Sequence, residues 1–171
     1  MLLMRAACFI LAVAIAGEAA SVEPSAAKHL SGKVVGVYDG DCITLLADDR
    51  PVKVRLAGID APELGQAFGQ AAKQRLSELA FGRAIEITIS GTDRYGRTIG
   101  DFEIGGRSAA EQMVADGLAW HYKRYSDADE LAAAESAARD ARRGLWADPK
   151  PVPPWEWRRH EKAGKAAAGA P

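Results

Sequence analysis

Three short apolar runs in the first third of the chain constrain its fold most. Each run contains residues that favour strands, and turn-forming residues separate them at Asp39-Gly40 and at residues 47–50. The runs are Lys33–Tyr38, Cys42–Leu46 and Pro51–Ala57. They predict three strands joined by tight hairpins, in which Gly40 lets the chain reverse.

The third run shows how these strands face a core. Val52, Val54 and Leu56 alternate with Lys53 and Arg55. Since successive side chains of a strand point to opposite faces, the apolar set faces inward and Arg55 faces outward.

The later elements follow from periodicity, capping residues and glycines. They are a helix over Gln66–Ala80, a strand at Ile85–Ile89, a strand over Arg97–Ile104, a short helix over Ser108–Val114 and a helix over Asp127–Arg143. The apolar phase of the fifth strand slips, which indicates a one-residue bulge at Gly100 or Asp101. Five short strands and three helices predict an α+β chain that is mainly a β barrel, because a lone sheet of this size would leave long edges exposed. We expect an OB-fold, a five-stranded barrel that is closed or nearly closed.

The two ends of the chain differ in composition from this predicted domain, which spans residues 32–147. Residues 1–20 have one arginine, an apolar run and small residues at Ala16 and Ala19, as in a secretory signal peptide. Residues 21–31 are expected to form a disordered leader, and residues 148–171 a tail in which Trp155 and Trp157 dock on the barrel while its end is mobile. We therefore expect a periplasmic or secreted protein without stable membrane association once the signal peptide is removed. Cys8 would leave with that peptide, so Cys42 would be the only cysteine of the mature chain.

The overall charge does not point to a polyanion partner. The chain has 22 Lys+Arg against 23 Asp+Glu, a formal net charge of −1. Any site for an anion must therefore be local.

Two aspartates are predicted to meet on one rim of the barrel. Asp41 starts the second strand and Asp60 ends the third, where Pro62 stops it. An Asp-Gly-Asp triplet alone is an ordinary turn, but antiparallel pairing would place these two carboxylates side by side. Oxygen ligands of this kind suit Ca²⁺ or Mg²⁺, whereas His121 and His160 lack the spacing of a zinc site and are interpreted as surface or packing residues.

Two arginines and a glutamate complete this predicted rim. Arg55 precedes Asp60, Arg97 follows the turn Asp93-Arg94-Tyr95-Gly96, and Glu63 follows Pro62. Two guanidinium forks suit the oxygens of a phosphate, and a free carboxylate can position or deprotonate a water molecule. The set predicts phosphodiester hydrolysis.

The motifs D-G-D, R-L-A-G-I-D-A-P-E and D-R-Y-G-R, in this order, resemble those of the staphylococcal nuclease (thermonuclease) family. The resemblance covers Gly32 to Trp146 and implies a Ca²⁺-dependent endonuclease that cleaves DNA and RNA and leaves 3′-phosphate ends. It implies that Asp41, Asp60 and the Ala61 carbonyl bind the metal. It further implies that Arg55 and Arg97 hold the scissile phosphate, that Glu63 is the general base, and that Arg94, Tyr95 and Tyr125 contact nucleotides.

Two residues depart from that family's pattern. Cys42 stands where Thr or Ser is usual, and Ala61 stands where Thr is common. Two interpretations follow: an active nuclease, expected to be a monomer that prefers single-stranded DNA or RNA, or a catalytically weak or inactive module that binds nucleic acid or a partner. The complete set Asp41, Arg55, Asp60, Glu63 and Arg97 favours the nuclease.

Overall fold

The computed structural model describes residues 28–168, with side chains described up to Gly164. The predicted signal peptide and residues 21–27 of the predicted leader lie outside the described residues. Among the described residues, no helix is long and apolar enough to cross a membrane.

Nine strands, four α-helices and one 3₁₀ helix form the described part of the chain. The strands are β1 (Lys28–Val37), β2 (Cys42–Ala47), β3 (Arg50–Leu56), β4 (Ile59–Asp60), β5 (Ala84–Thr92), β6 (Thr98–Asp101), β7 (Glu103–Ile104), β8 (Arg107–Ser108) and β9 (Trp120–His121). The helices are α1 (Gly69–Ala80), α2 (Ala109–Ala115), α3 (Asp129–Asp140), the 3₁₀ helix (Gly144–Ala147) and α4 (Pro154–Ala168).

Five strands close into a barrel in the order β1-β2-β3-β6-β5. All neighbouring pairs are antiparallel except β3 with β6, which is parallel. Closure pairs β1 with β5 and so removes the exposed edges that an open sheet would have. The predicted OB-type barrel is confirmed.

The core lies inside the barrel and under α1 and α2. Val34, Leu45 and Val54 are fully buried in it, together with Leu76 of α1 and Met113 of α2. Burial of each such side chain stabilises the fold by about 1.5–3 kcal/mol. This packing holds the turns at the barrel rim in fixed positions.

The barrel begins earlier than the sequence predicts. Lys28–Ser31, assigned to the disordered leader, belong to β1 and pair with Ile89–Glu86 of β5. These residues have no clear apolar period, so their order comes from backbone pairing that closes the barrel. The prediction that order begins near Gly32 is wrong.

The bulge between β5 and β6 lies on β5, so the prediction of a bulge at Gly100 or Asp101 is wrong. The register shifts between Ile89, opposite Gly100, and Gly91, opposite Ile99, so Ser90 is the extra residue. Gly100 serves close packing, because a Cβ there would approach Ile87 Cγ2 and the Thr88 carbonyl oxygen to 2.6 Å.

The region after residue 147 contains more regular structure than predicted. It contains the fourth helix, α4, which extends to Ala168. The expectation of three α-helices is therefore corrected to four, while the mobility of the chain end stays a prediction. Residues 169–171 lie outside the described residues. Trp155 docks on the cluster of Trp120 and Trp146 next to the barrel.

Candidate functional site

Asp41 is held at the barrel rim by the tight turn between β1 and β2. The backbone N–H of Asp41 donates a hydrogen bond of 3.1 Å to Asp39 Oδ1. Gly40 allows the turn to lie against the fold, since a Cβ there would come within 2.5 Å of the Ala72 Cβ and 2.7 Å of the Ala61 Cβ. Glycine is therefore required here because the turn packs closely against α1 and the segment after β4.

The Asp41 carboxylate is buried, and both of its oxygens accept hydrogen bonds. Its Oδ1 accepts hydrogen bonds from Arg55 Nη1 at 2.7 Å and from Cys42 Sγ at 3.0 Å, and its Oδ2 accepts from the Ala61 N–H at 3.0 Å. Burial raises the pKa of Asp41 to about 6, and the charges of Asp39 and Asp60 act in the same direction against that of Arg55. An added cation would favour the ionised form.

Arg55 joins the two predicted metal ligands. One nitrogen of its guanidinium lies 2.7 Å from Asp41 Oδ1, and the other lies 2.7 Å from Asp60 Oδ1. Burial opposes the charge of Arg55, but the two aspartates outweigh it and hold the pKa of the guanidinium above its usual value. The side chain that was predicted to face outward is thus folded into the rim, where it links Asp41 to Asp60. The prediction that Asp60 ends the third strand is wrong, because β3 ends at Leu56 and Asp60 lies in β4, which pairs with β9 and not with β2.

The segment after β3 positions Asp60 and Glu63. Asp60 is in β4, pairs with Trp120 of β9 and has no solvent exposure. Pro62 then turns the chain toward α1, and the Glu63 N–H is bonded to the Gln66 side chain at 3.3 Å. Glu63 is partly exposed, so its carboxylate can reach water.

Arg97 reaches the site from the loop between β5 and β6. Asp93 orients it: Asp93 Oδ2 accepts from Arg97 Nε at 2.7 Å, while Asp93 Oδ1 accepts from the N–H groups of Tyr95 and Arg97. These hydrogen bonds outweigh partial burial and lower the pKa of Asp93. The turn predicted as a basic loop is therefore organised around one carboxylate.

Cys42 connects Arg97 to the carboxylates. Its Sγ donates to Asp41 Oδ1 and accepts from Arg97 Nη1 at 3.2 Å, and Arg55 Nη1 lies 4.0 Å away. Burial, followed by the negative charge of Asp41, raises the pKa of this thiol well above its usual range. A neutral thiol therefore occupies the position where the family usually has a hydroxyl, and it can make the same two kinds of bond.

Arg158 of α4 contacts the site directly, which the sequence did not predict. Its Nη2 lies 2.7 Å from Asp60 Oδ2, and its Nη1 lies 2.7 Å from Glu63 Oε1 and 3.2 Å from Asp60 Oδ1. The sequence did contain an indication of this contact. Trp155, Arg158, Arg159 and Lys162 recur at helical spacing and so predict one shared helix face.

The three predicted nucleotide contacts line one open cleft beside this site. Arg94 stacks on Tyr95 at 4.8 Å and bonds to its hydroxyl, whereas Tyr125 lies across the cleft next to Tyr122. Arg158 also lines the cleft. His121 is buried, as a packing residue, and its Nε2 is 3.0 Å from the Ser126 carbonyl oxygen.

The donor set fits a hard cation. Asp41 and Asp60 share one guanidinium, and ligand atoms of Asp39, Asp41 and Cys42 lie within 4.8 Å of one another. Carboxylate oxygens are ligands for Ca²⁺ or Mg²⁺, while the thiol, held neutral, is not. Arg55 and Arg158 already bind oxygens of Asp41 and Asp60, so an ion at this rim would share or displace these contacts.

Fold and site together define an OB-type barrel whose rim combines buried carboxylates with guanidinium groups. The chain belongs to the staphylococcal nuclease family, since the model described as "Staphylococcal nuclease homologue" matches residues 53–148. The chain is 40% identical to micrococcal nuclease of Shigella flexneri, over 93% of this chain and 98% of that protein. It is also 40% identical to Protein ParB of Escherichia coli, over 92% and 91%, and 42% identical to an uncharacterized endonuclease of Haemophilus influenzae, over 78% and 76%.

Proposed function

We propose that this protein is a Ca²⁺-dependent endonuclease that hydrolyses phosphodiester bonds of DNA and RNA and leaves 3′-phosphate ends. The observation that carries the proposal is the Arg55 guanidinium, which joins Asp41 to Asp60. Arg158 in turn joins Asp60 to Glu63. Family membership and relatives named as nucleases support the same conclusion.

Each residue of the rim has a role in this proposal. Asp41, Asp60 and the Ala61 carbonyl would hold the ion, which supplies positive charge beside the phosphate when it is bound. Arg55 and Arg97 stabilise the charge that develops on the phosphate oxygens. Both guanidinium groups lie next to Cys42 Sγ, so they can reach the same phosphate. Glu63 positions or deprotonates the attacking water from its partly exposed place on the rim.

The cellular setting is part of the proposal. A chain with this N-terminus would be exported, act on nucleic acid in the periplasm or outside the cell, and work as a monomer that prefers single strands. N-terminal sequencing of the exported protein should begin after Ala16 or Ala19.

The test is cleavage of single-stranded DNA and RNA by the chain without residues 1–20. We expect degradation with Ca²⁺, none with a chelator, and product ends that a polymerase extends only after phosphatase treatment. Glu63→Gln and Arg97→Ala should each lower turnover by about 10²–10⁴-fold.

Matched controls are Glu103→Gln and Arg50→Ala, which remove the same charges from exposed positions that do not line the cleft. If the parent binds a single strand but never cleaves it, the binding module is the correct interpretation. If Glu63→Gln cleaves as well as the parent, the role of Glu63 as base is wrong.

A further inference from the structure

Helix α4 forms one wall of the cleft that runs past the site. The cleft has a volume of about 980 Å³, and the Arg94-Tyr95 loop and residues 120–125 form its other walls. The helix lies beyond residues 53–148, which the family model matches. The family assignment therefore leaves its role open.

Packing and ion pairs fix the orientation of α4. The Trp155 ring stacks on Tyr122 at 5.1 Å with an angle of 6°, and meets the Trp120 ring edge-on at 5.7 Å. One turn further, Arg158 binds Asp60 and Glu63. The face that carries Trp155, Arg158, Arg159 and Lys162 consequently lines the cleft.

The cleft concentrates positive charge in a chain whose net charge is −1. Seven of its lining residues are Lys or Arg, and the one acid, Glu135, is already paired with Lys123 and Arg139. Arg124, Arg159 and Lys162 are exposed and have no carboxylate partner among the described side chains. Such a cleft attracts an extended anion.

Two exposed rings favour a single strand as that anion. Tyr95 and Tyr125 are 69% and 70% exposed, and they line the cleft from two different segments, the loop between β5 and β6 and the segment between β9 and α3. An exposed ring stabilises a base that stacks on it, and only an unpaired strand presents its bases in this way.

We propose that α4 is the second wall of a groove for single-stranded nucleic acid, in which Arg159 and Lys162 bind backbone phosphates outside the reaction site. This inference deepens the proposed function and rests on it for the identity of the polyanion. Arg158 connects the groove to Asp60 and Glu63, so that a strand held by α4 passes the catalytic carboxylates. The helix thus raises the affinity for substrates long enough to extend along α4.

The experiment measures binding of a fluorescent twelve-nucleotide thymidine strand in chelator, at several salt concentrations, by the full mature chain. Arg159→Gln combined with Lys162→Gln should weaken binding by about ten-fold near physiological salt. Because single strands release about 0.7 counterion per neutralised phosphate, the slope of log affinity against log salt should become shallower by about 1.4.

The matched control is Arg50→Gln combined with Lys53→Gln, which removes two exposed charges from β3, away from the cleft. It should bind within about two-fold of the parent. The proposal is overturned if both double variants weaken binding equally, or if duplex DNA competes as well as a single strand at equal phosphate concentration.

The design separates this inference from the proposed function. If the parent cleaves with Ca²⁺ while the α4 variant binds like the control, the groove is wrong and the nuclease stands. If the parent never cleaves, and the α4 variant binds the strand more weakly than the parent, the groove is correct and the nuclease is wrong.

Discussion

At the scale of single residues, Cys42 links the buried Asp41 to Arg97 from the loop before β6. Its sulfur lies between Asp41 and Arg97, the residue proposed to hold the phosphate. A thiol is in general a weaker hydrogen-bond partner than the hydroxyl that is usual at this position. In the structure, the thiol makes both bonds because burial keeps it protonated.

Replacement of Cys42 should separate hydrogen bonding from size. Cys42→Ser keeps a donor for Asp41 and an acceptor for Arg97, so turnover should stay within a few-fold of the parent. Cys42→Val removes both bonds, and since a hydrogen bond to a charged group contributes about 1.5–3 kcal/mol, turnover should fall about 10–100-fold. Steady-state cleavage of a single strand measures this, and equal rates for Val and Ser would disprove an orienting role for the thiol.

At the scale of elements, the loop before β6 and the helix α4 supply the groups that complete the rim. Both were only partly predictable. The Asp93–Arg97 turn is local, so its residues could be recognised from spacing. The contact between Arg158 and Asp60 joins residues 98 positions apart, and no local pattern specifies such a pair.

Asp93→Asn should release Arg97 without unfolding the barrel. The amide cannot form the ion pair with Arg97 Nε, so kcat/KM should fall about ten-fold while the protein stays folded with a modestly lower melting temperature. Kinetics and thermal unfolding of the same sample measure the two effects. Unchanged kcat/KM would mean that Arg97 needs no orientation by Asp93.

The same carboxylate gives a pH dependence. Since the pKa of Asp93 is lowered by folding, its contribution to stability is present above the usual value of about 3.9 and is lost as the pH falls through the folded value. The difference in unfolding free energy between the parent and Asp93→Asn should therefore shrink below about pH 4.

Arg158→Gln should tighten Ca²⁺ binding by several-fold. The guanidinium occupies oxygens of Asp60 and Glu63, and its positive charge repels a second cation. Calorimetry with Ca²⁺ alone measures the change. The neighbour Arg159→Gln, which has the same charge change and no contact with either carboxylate, should bind Ca²⁺ like the parent; equal effects of both would indicate a general field and not competition at Asp60.

At the scale of the whole molecule, barrel closure brings the rim together. β1 pairs with β5, and the parallel pairing of β3 with β6 places Arg55 opposite Ile99, near Arg97. The carboxylates then lie at a rim that packing holds in place, so that a bound ion would stabilise the folded state as a whole.

Ca²⁺ should therefore raise the melting temperature of the mature chain. At a hundred times its dissociation constant, an ion that binds only the folded state adds about 2.7 kcal/mol of stability. Asp41→Asn should lose this shift, whereas Asp48→Asn, in an exposed turn, should keep it. Scanning calorimetry with Ca²⁺ and with chelator makes the comparison, and a full shift in Asp41→Asn would exclude Asp41 as a ligand.

Local sequence patterns predicted the barrel strands except the start of β1, and the rim residues except Arg158. Alternation of Val52, Val54 and Leu56 is a local property, and so are the short motifs that carry Asp41, Asp60, Glu63 and Arg97. How these groups pair could not be predicted from such local patterns. The bulge at Ser90, the close approach at Gly40 and the contacts of Arg158 depend on surfaces that meet after the barrel closes and α4 packs on Tyr122. Local propensity acts within a few residues, whereas these pairings depend on burial and charge between distant segments.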